Sequence, residues 1–286
     1  MNLAVIDPVA AAQRLSDPHT LVVDCRADLV DYGLGLRVYQ AAHIPGAVQA
    51  SLDAELSGPA SVGTGRHPLP SPQQFAATLS RWGVKPTTRI IAYDQGPGAY
   101  AARLWWLLRA RGHQAVQVLD GGWAAWTAAG LPVETTAPAP RPASVVAPVP
   151  FAGVVEAEQV LTALREATAV VIDARGADRY AGQNETLDPV GGHIPGALNR
   201  PFTDNLGSDG RFKSAAALRE QWLARLGDRP ARQMISSCGS GITACHNLLA
   251  LSVAGLEGGR LYAGSWSHWI RDPSRPVATG PEPGTP

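Results

Sequence analysis

The second half of this 286-residue chain repeats the first half. Three motifs recur in the same order, each about 150 residues downstream of its first occurrence, which is the mark of an internal repeat. The recurring motifs are Val23-Asp24-Cys25-Arg26 with Ile172-Asp173-Ala174-Arg175, His43-Ile44-Pro45-Gly46-Ala47 with His193-Ile194-Pro195-Gly196-Ala197, and the pair Trp123 and Trp126 with Trp266 and Trp269. Matches in one order at nearly one offset indicate a tandem duplication. The chain therefore builds one fold twice.

Each repeat is predicted to alternate strands with helices. The run from Thr20 to Asp24 is apolar and β-branched, as in a strand buried on both faces of a parallel sheet. Ser71 and Pro72 open a helix as N-cap and first helical residue. We expect a long irregular passage through Tyr39 to the first His-Ile-Pro-Gly-Ala motif. The pattern predicts an α/β fold of two tandem domains, each a parallel sheet flanked by helices.

The predicted domain boundaries follow the repeat and a change in composition. An N-terminal domain is expected over residues 1–135 and a C-terminal domain over residues 153–286. Between them, residues 136–152 are rich in Pro, Ala and Val without helical periodicity, which is typical of an extended linker.

The bulk composition excludes several classes of function. Lys plus Arg and Asp plus Glu both number 24, so no basic surface is predicted for nucleic acid or an anionic membrane. Three scattered cysteines are too few for a disulfide framework or a metal cluster. The first residues lack the pattern of a signal peptide, and no apolar run is long enough to span a bilayer. We expect a cytoplasmic protein without nucleic-acid or membrane partners.

The stretch around Cys238 is the best candidate for chemistry. It reads as a buried strand, a glycine-rich loop that opens with Cys238, and a helix that begins near Ile242. Backbone N–H groups and the helix N-terminus would face the thiol and stabilise a thiolate or an attached anion. The residues predicted to surround the sulfur are Gly239, Ser240, Gly241, Ile242 and Thr243. This arrangement suits a sulfur nucleophile.

The first repeat has no thiol at the equivalent place. The strand that ends at Tyr93 is followed by Asp94, which occupies the position of Cys238, and its loop keeps the glycines. A carboxylate can fill a ring of N–H groups but cannot take up sulfur. One working site per chain is therefore expected.

These motifs, together with Gly-Arg-His-Pro-Leu-Pro at residues 65–70 and Cys-Gly-Ser-Gly-Ile-Thr-Ala from Cys238, resemble the tandem rhodanese family. That family comprises thiosulfate and 3-mercaptopyruvate sulfurtransferases with two rhodanese-like domains. The resemblance implies an enzyme that moves a sulfane sulfur from a small donor, through a Cys238 persulfide, to a thiol or cyanide acceptor. A thioredoxin-like dithiol is one candidate acceptor. No cofactor or metal is implied.

The resemblance leaves the sulfur donor open. Thiosulfate-preferring members carry basic residues just after the cysteine, whereas Gly239 and Ser240 are neutral, as in mercaptopyruvate enzymes. Those enzymes use two arginines upstream of the second His-Ile-Pro-Gly-Ala motif. Arg179 matches the first, but Asp188 stands near the place of the second. Arg66 and His67, in the first half of the chain, are candidates for a substitute positive charge.

Two other functions compete with this hypothesis. Some relatives of the fold are phosphatases with a Cys-x5-Arg loop, but here the arginine position holds Ala244. A non-catalytic sulfur-binding or regulatory module is the second alternative. Other prominent residues are predicted to be structural: Cys245 in the core, His43 and His193 in turns, and Asp173 with Arg175 as an ion pair near the loop.

Overall fold

A computed structural model describes residues 4–61, 63–139 and 145–286. They form two compact units. The first unit contains Met1–Pro59, Leu69–Ala152 and Ser208–Phe212, and the second contains Ala60–Pro68, Gly153–Gly207 and Lys213–Pro286. Residues 60–68 are thus part of the second unit although they precede most of the first. Of the predicted linker 136–152, residues 140–144 lie outside the described residues.

The first unit is a parallel sheet with helices between its strands. Among its described residues the strands are β1 (Val5–Ile6), β2 (Thr20–Asp24), β3 (Val48–Gln49), β4 (Arg89–Tyr93) and β5 (Val116–Leu119). The helices are α1 (Pro8–Ala12), α2 (Leu34–Ala41), α3 (Pro72–Arg81), α4 (Ala99–Ala110) and α5 (Gly122–Ala128). The strand order is β1-β5-β4-β2-β3. Every residue of β2 is buried, which explains its continuous apolar run.

The second unit repeats this topology. Its described strands are β6 (Val170–Asp173), β7 (Leu198–Asn199), β8 (Met234–Ser237) and β9 (Arg260–Leu261), in the order β7-β6-β8-β9. Its helices are α6 (Ala157–Arg165), α7 (Ala177–Tyr180), α8 (Ala215–Leu226), α9 (Thr243–Val253) and α10 (Ser265–Trp269), with 3-10 turns at Phe202–Asn205 and Ala231–Gln233. Val154 bridges to Leu261 in parallel, in the place that β1 takes beside β5. The predicted α/β fold with two parallel sheets is confirmed.

The shared motifs have the same structural roles in both units. Arg26 binds Asp24 through two nitrogens, and Arg175 binds Asp173 in the same way, with a shortest distance of 2.6 Å in each pair. Each pair lies at the carboxyl end of the strand that follows the unit's first helix. The imidazoles of His43 and His193 stack on tyrosine rings, with ring centroids 4.0 and 3.7 Å apart. The predicted Asp173–Arg175 ion pair is confirmed, the Asp24–Arg26 pair repeats it in the first unit, and both histidines pack in the turns where they were expected.

Helix α2 corrects one prediction. The sequence predicts an irregular passage where the structure has the helix Leu34–Ala41. Gly35 lowers the helix propensity of this segment, but it is needed for packing, because a Cβ on Gly35 would lie 2.1 Å from the carbonyl oxygen of Arg26. Because this contact requires glycine, which has a low helix propensity, the helix could not be predicted from propensity.

Local signals predicted other elements correctly. Ser71 caps α3: its hydroxyl accepts the N–H of Gln74, whose side chain in turn accepts the N–H of Ser71. Strand β2 has the predicted bounds. Among the described residues, no helix is both long and apolar enough to cross a membrane.

Asp94 fills the loop of the first unit with a buried carboxylate. It follows β4 and accepts backbone N–H groups from Gly96, Gly98, Tyr100 and Ala101 at 3.0, 3.0, 2.8 and 3.2 Å. The last two donors lie in the first turn of α4, where N–H groups have no partner within the helix. The loop of this unit is therefore built around an anion that belongs to the chain.

We predict that Asp94→Asn destabilises the first unit by about 2–4 kcal/mol, because an amide nitrogen would face N–H donors and leave buried groups unpaired. The free energy of unfolding in urea measures this loss. Asp28→Asn is the matched control: a single carboxylate oxygen of half-buried Asp28 accepts the N–H groups of Val30 and Asp31, and asparagine keeps such an oxygen. Equal losses in the two variants would contradict the prediction.

Candidate active site

Cys238 stands between a buried strand and a helix, as the sequence predicted. It directly follows β8, and α9 begins five residues later at Thr243. The N–H of Gly241 donates to the Cys238 Sγ at 3.1 Å. Gly241 has φ +81°, and a Cβ there would lie 2.4 Å from the carbonyl oxygen of Ala263. This position therefore requires glycine both for its backbone angle and for its close contact with Ala263, which follows β9.

The loop is held by backbone hydrogen bonds from the start of α10. Trp266 N–H donates to the carbonyl of Cys238 and Ser267 N–H to that of Gly239, both at 2.9 Å. In the first unit, Trp123 N–H donates in the same way to the carbonyl of Asp94, at 2.8 Å. The recurring Trp-x-x-Trp motif thus marks the helix whose first turn fixes the loop. The conformation of the loop therefore depends on main-chain hydrogen bonds rather than on the thiol.

Ser265 touches Cys238 and was missed in the sequence analysis. Its hydroxyl oxygen accepts the N–H of Cys238 at 3.0 Å and lies 3.9 Å from Sγ. A difference between the repeats could have indicated Ser265 as a site residue. Ser265 immediately precedes Trp266, whereas Gly122 immediately precedes Trp123.

Residues 65–67 bring two predicted site residues to the loop. Gly65 permits the approach, since a Cβ there would lie 2.5 Å from the carbonyl oxygen of Gly264. The N–H of Arg66 donates to the hydroxyl of Ser267 at 3.0 Å. The Nδ1 of His67 is 2.8 Å from the hydroxyl oxygen of Ser240. The Gly-Arg-His sequence is therefore part of the second unit and of this site.

Two guanidinium groups flank the residue after the cysteine. A Cβ built on Gly239 would lie 3.1 Å from Nη2 of Arg66 and 3.5 Å from Nη2 of Arg179. Both side chains are about one-quarter exposed. The structure thus brings Arg66, His67 and Arg179 to the loop, while their roles in binding remain predictions.

Each of these arginines is paired with a carboxylate. Arg179 binds Glu185 with two nitrogens at 2.8–3.0 Å, and Arg66 pairs with Asp188, which also lies 3.7 Å from Arg179. Although burial disfavours the charged form, the hydrogen bonds from Arg179 hold the pKa of Glu185 below its ordinary value. Asp188 stands near the place where the resemblance implies a second arginine. It therefore positions Arg66, which lies far away in the sequence. Glu185 was not anticipated, because no local pattern signals this pairing.

The remaining candidates lie in the core. Ile242 is buried and Thr243 half-buried, at the start of α9. Cys245 is buried in α9, as predicted, with its Sγ 3.3 Å from the carbonyl oxygen of Gly241. The ring of Trp266 is buried under Arg175, whose guanidinium carbon is 4.9 Å from the ring centroid. Among the described residues, no three His, Cys, Asp or Glu side chains form a metal site.

A cysteine whose sulfur accepts a loop N–H, between a strand and a helix in one of two duplicated α/β units, is placed as the nucleophile of a group-transfer enzyme. The rhodanese-like domain model matches residues 7–129 and 156–272. The chain belongs to the rhodanese family and is a sulfurtransferase.

Individual relatives cover nearly the whole chain. A probable 3-mercaptopyruvate sulfurtransferase of Pseudomonas aeruginosa is 49% identical over 271 residues, which cover 94% of this chain and 95% of the relative. A putative thiosulfate sulfurtransferase of Mycobacterium tuberculosis is 38% identical and covers 86% of each chain. The solved structure of 3-mercaptopyruvate sulfurtransferase from Leishmania major has a TM-score of 0.83 at 32% identity, covering 93% of this chain and 74% of that one.

We predict that Gly241→Ala lowers both stability and the rate of sulfur transfer, because the loop must move away from Ala263 and its N–H then leaves the sulfur. Gly280→Ala in the same unit is the control: Gly280 also has a positive φ, +87°, but a Cβ there meets nothing within 4 Å. The control should lose about 1 kcal/mol from the backbone angle alone and keep full activity. Urea unfolding and steady-state kinetics measure both effects. Equal behaviour of the two variants would refute the requirement for glycine at the loop.

Proposed function

We propose that this sulfurtransferase takes its sulfur from 3-mercaptopyruvate and that Cys238 carries it as a persulfide. The observation that carries the proposal is the pair of guanidinium groups, from Arg66 and Arg179, beside Gly239. Guanidinium groups bind carboxylates through parallel, charge-assisted hydrogen bonds. A donor carboxylate bound there lies next to the residue that follows the nucleophile.

The surroundings of the cysteine support a carboxylate-bearing donor. Gly239 and Ser240 add no charge to the loop, so the positive charge comes from side chains outside it. The relatives from P. aeruginosa and L. major carry the name 3-mercaptopyruvate sulfurtransferase. The M. tuberculosis relative is named for thiosulfate, so thiosulfate is the donor to compare.

The proposed first step breaks the carbon–sulfur bond of the donor. The Cys238 thiolate attacks the donor sulfur, a sulfur–sulfur bond forms, and the electron pair of the broken bond passes to the carbon as the enolate of pyruvate. The enolate takes up one proton, the one that the donor thiol loses. The products are therefore pyruvate and an ionised persulfide. The Gly241 N–H, 3.1 Å from Sγ, stabilises negative charge on sulfur in this step.

Ser240 and His67 are suited to move that proton. Their 2.8 Å contact joins a hydroxyl in the cysteine loop to an imidazole, the side chain whose ordinary pKa lies nearest neutrality. The ring can accept a proton from the donor thiol through the hydroxyl and return it to the enolate. This role keeps the charge of the site unchanged over the first half-reaction.

Glu185 and Asp188 keep the two arginines in place before the donor binds. A guanidinium has five N–H donors, so one that is held by a carboxylate can still bind a second one. Without such partners, Arg66 and Arg179 would sample many rotamers, and donor binding would carry the cost in conformational entropy. The paired carboxylates therefore favour a donor with a single carboxylate over a more highly charged one.

The second half-reaction passes the outer sulfur to a thiol or cyanide. A thioredoxin-like dithiol is a candidate acceptor, since a second thiol can release the sulfur as sulfide by forming a disulfide. We place the reaction in the cytoplasm, where the three free, buried cysteines stay reduced. The proposal involves no nucleic acid and no membrane.

The nucleophile is tested by mass spectrometry of the intact protein after incubation with 3-mercaptopyruvate. The wild type should gain the mass of one sulfur atom on Cys238, and turnover with cyanide should remove it. Cys238→Ser should show neither the gain nor turnover, whereas Cys245→Ser should keep both. Full transfer by Cys238→Ser would overturn the proposal, and a stable persulfide without turnover would favour a sulfur-binding module.

Donor recognition is tested with Arg179→Gln. We expect the KM for 3-mercaptopyruvate to rise about 10- to 100-fold, because a hydrogen-bonded charge contact of about 1.5–3 kcal/mol is lost. The double variant Arg179→Gln/Glu185→Gln should show the same rise in KM, because it also removes the carboxylate that loses its Arg179 partner in the single variant. Arg89→Gln is the charge control: Arg89 pairs with Asp17 in the first unit.

Two outcomes would contradict the role of Arg179. A wild-type KM in Arg179→Gln would remove it from the donor site. Recovery of the wild-type KM in the double variant would assign the effect to the charge of Glu185 rather than to the loss of the guanidinium. Kinetics with thiosulfate on the same preparations separate the two donors.

A further inference from the structure

Ser265 has a backbone conformation that serine rarely adopts. Its φ is +52°, in the left-handed region, where a non-glycine residue loses about 1–2 kcal/mol to contacts of its Cβ. The residue is fully buried at the first position of α10. Such strain persists only where neighbouring contacts compensate for it.

The first unit shows the same backbone without the side chain. Gly122, which precedes Trp123 as Ser265 precedes Trp266, has φ +55°. A Cβ on Gly122 would lie 2.6 Å from the carbonyl oxygen of Asp94 and 3.0 Å from the nitrogen of Gly96. Glycine is thus the residue that this turn favours, and serine is found in the unit that contains the thiol.

The contacts of Ser265 converge on Cys238. The hydroxyl oxygen accepts the N–H of Cys238 at 3.0 Å, and the hydroxyl group lies 2.9 Å from the carbonyl oxygen of Tyr262 and 3.9 Å from Sγ. A hydroxyl has one hydrogen and two lone pairs. Its hydrogen can therefore point to the carbonyl or to the sulfur, while a lone pair keeps the Cys238 N–H.

We propose that Ser265 is a positioning residue for Cys238 whose hydroxyl hydrogen follows the negative charge on sulfur. It donates to Sγ when Sγ is the thiolate and returns to the Tyr262 carbonyl when the charge has moved to the outer sulfur of the persulfide. The accepted N–H fixes the Cys238 backbone throughout. No covalent bond changes, and no other reactant is needed.

This inference rests on the proposed role of Cys238 as nucleophile but not on the donor. It assigns Sγ a second hydrogen-bond donor, besides the Gly241 N–H, that acts in the thiolate state. A hydrogen bond that stabilises the attacking thiolate should affect the rate of sulfur uptake rather than the affinity for the sulfur donor.

Single-turnover persulfide formation, followed by mass spectrometry across pH, tests the proposal in Ser265→Gly and Ser265→Ala. Glycine removes the hydroxyl and the backbone strain together, whereas alanine removes the hydroxyl and keeps the strain. We expect both variants to form the persulfide about tenfold more slowly, the effect of one lost hydrogen bond to a charged group. The pH–rate profile should move to higher pH, and the KM should change less than twofold.

Ala167→Gly is the control for strain. Ala167 is exposed in the same unit and has φ +53°, so glycine there relieves the same kind of strain far from any thiol contact. The control should gain stability and keep the wild-type rate and pH profile. A wild-type rate and pH profile in Ser265→Gly would overturn the proposal.

A second probe separates this inference from the donor proposal. Inorganic polysulfide carries no carboxylate, so sulfur uptake from it does not need Arg66 or Arg179. Slower uptake from both polysulfide and 3-mercaptopyruvate in the Ser265 variants supports the role at Sγ. Slower uptake from 3-mercaptopyruvate alone would overturn it. Uptake of sulfur by Cys238→Ser would instead refute the proposed nucleophile.

Discussion

The chemistry of this protein depends on a main-chain contact: the last helix of the unit donates N–H groups to the carbonyls of the cysteine loop. Trp266 binds Cys238 in this way and Ser267 binds Gly239. Because carbonyls at the outer side of the loop are held, the N–H of Gly241 can face inward to the sulfur. The positive φ of Gly241 and its close contact with Ala263 are consequences of the same turn. The loop is therefore shaped before any sulfur is bound.

The duplication separates what the fold needs from what the reaction needs. Both units keep the strand, the glycine-rich turn, the Asp–Arg pair and the tryptophan-bearing helix. In the first unit the N–H groups of the turn bind Asp94, an anion supplied by the chain itself. In the second unit Cys238 stands there, and Ser265, Arg66, His67 and Arg179 lie around it. The comparison within one chain thus identifies Cys238 and Ser265 as residues that the first unit replaces, with Asp94 and Gly122.

Much of the fold could be predicted from the sequence because its signals are local or repeated. The apolar run of β2 and the Ser71-Pro72 start of α3 depend on neighbouring residues, and the tandem motifs revealed the second sheet. Helix α2 could not be predicted, since Gly35 serves a contact with the distant Arg26 carbonyl. The same limit applies to the site. Cys238 was evident from its loop, but the pairing of Arg66 with Asp188 joins residues far apart in the chain, and no periodic pattern encodes it.

Gly122 limits what the loop of the first unit can accommodate. Its backbone leaves no room for a Cβ beside the Asp94 carbonyl, so the first unit cannot gain a counterpart of Ser265 by exchange of one residue. A thiol introduced at position 94 would lack that hydroxyl and would lie within a turn fitted to a carboxylate. The two halves share the backbone angle at this position but differ in the space around it, so a second thiol site with its own hydroxyl would require more than one substitution.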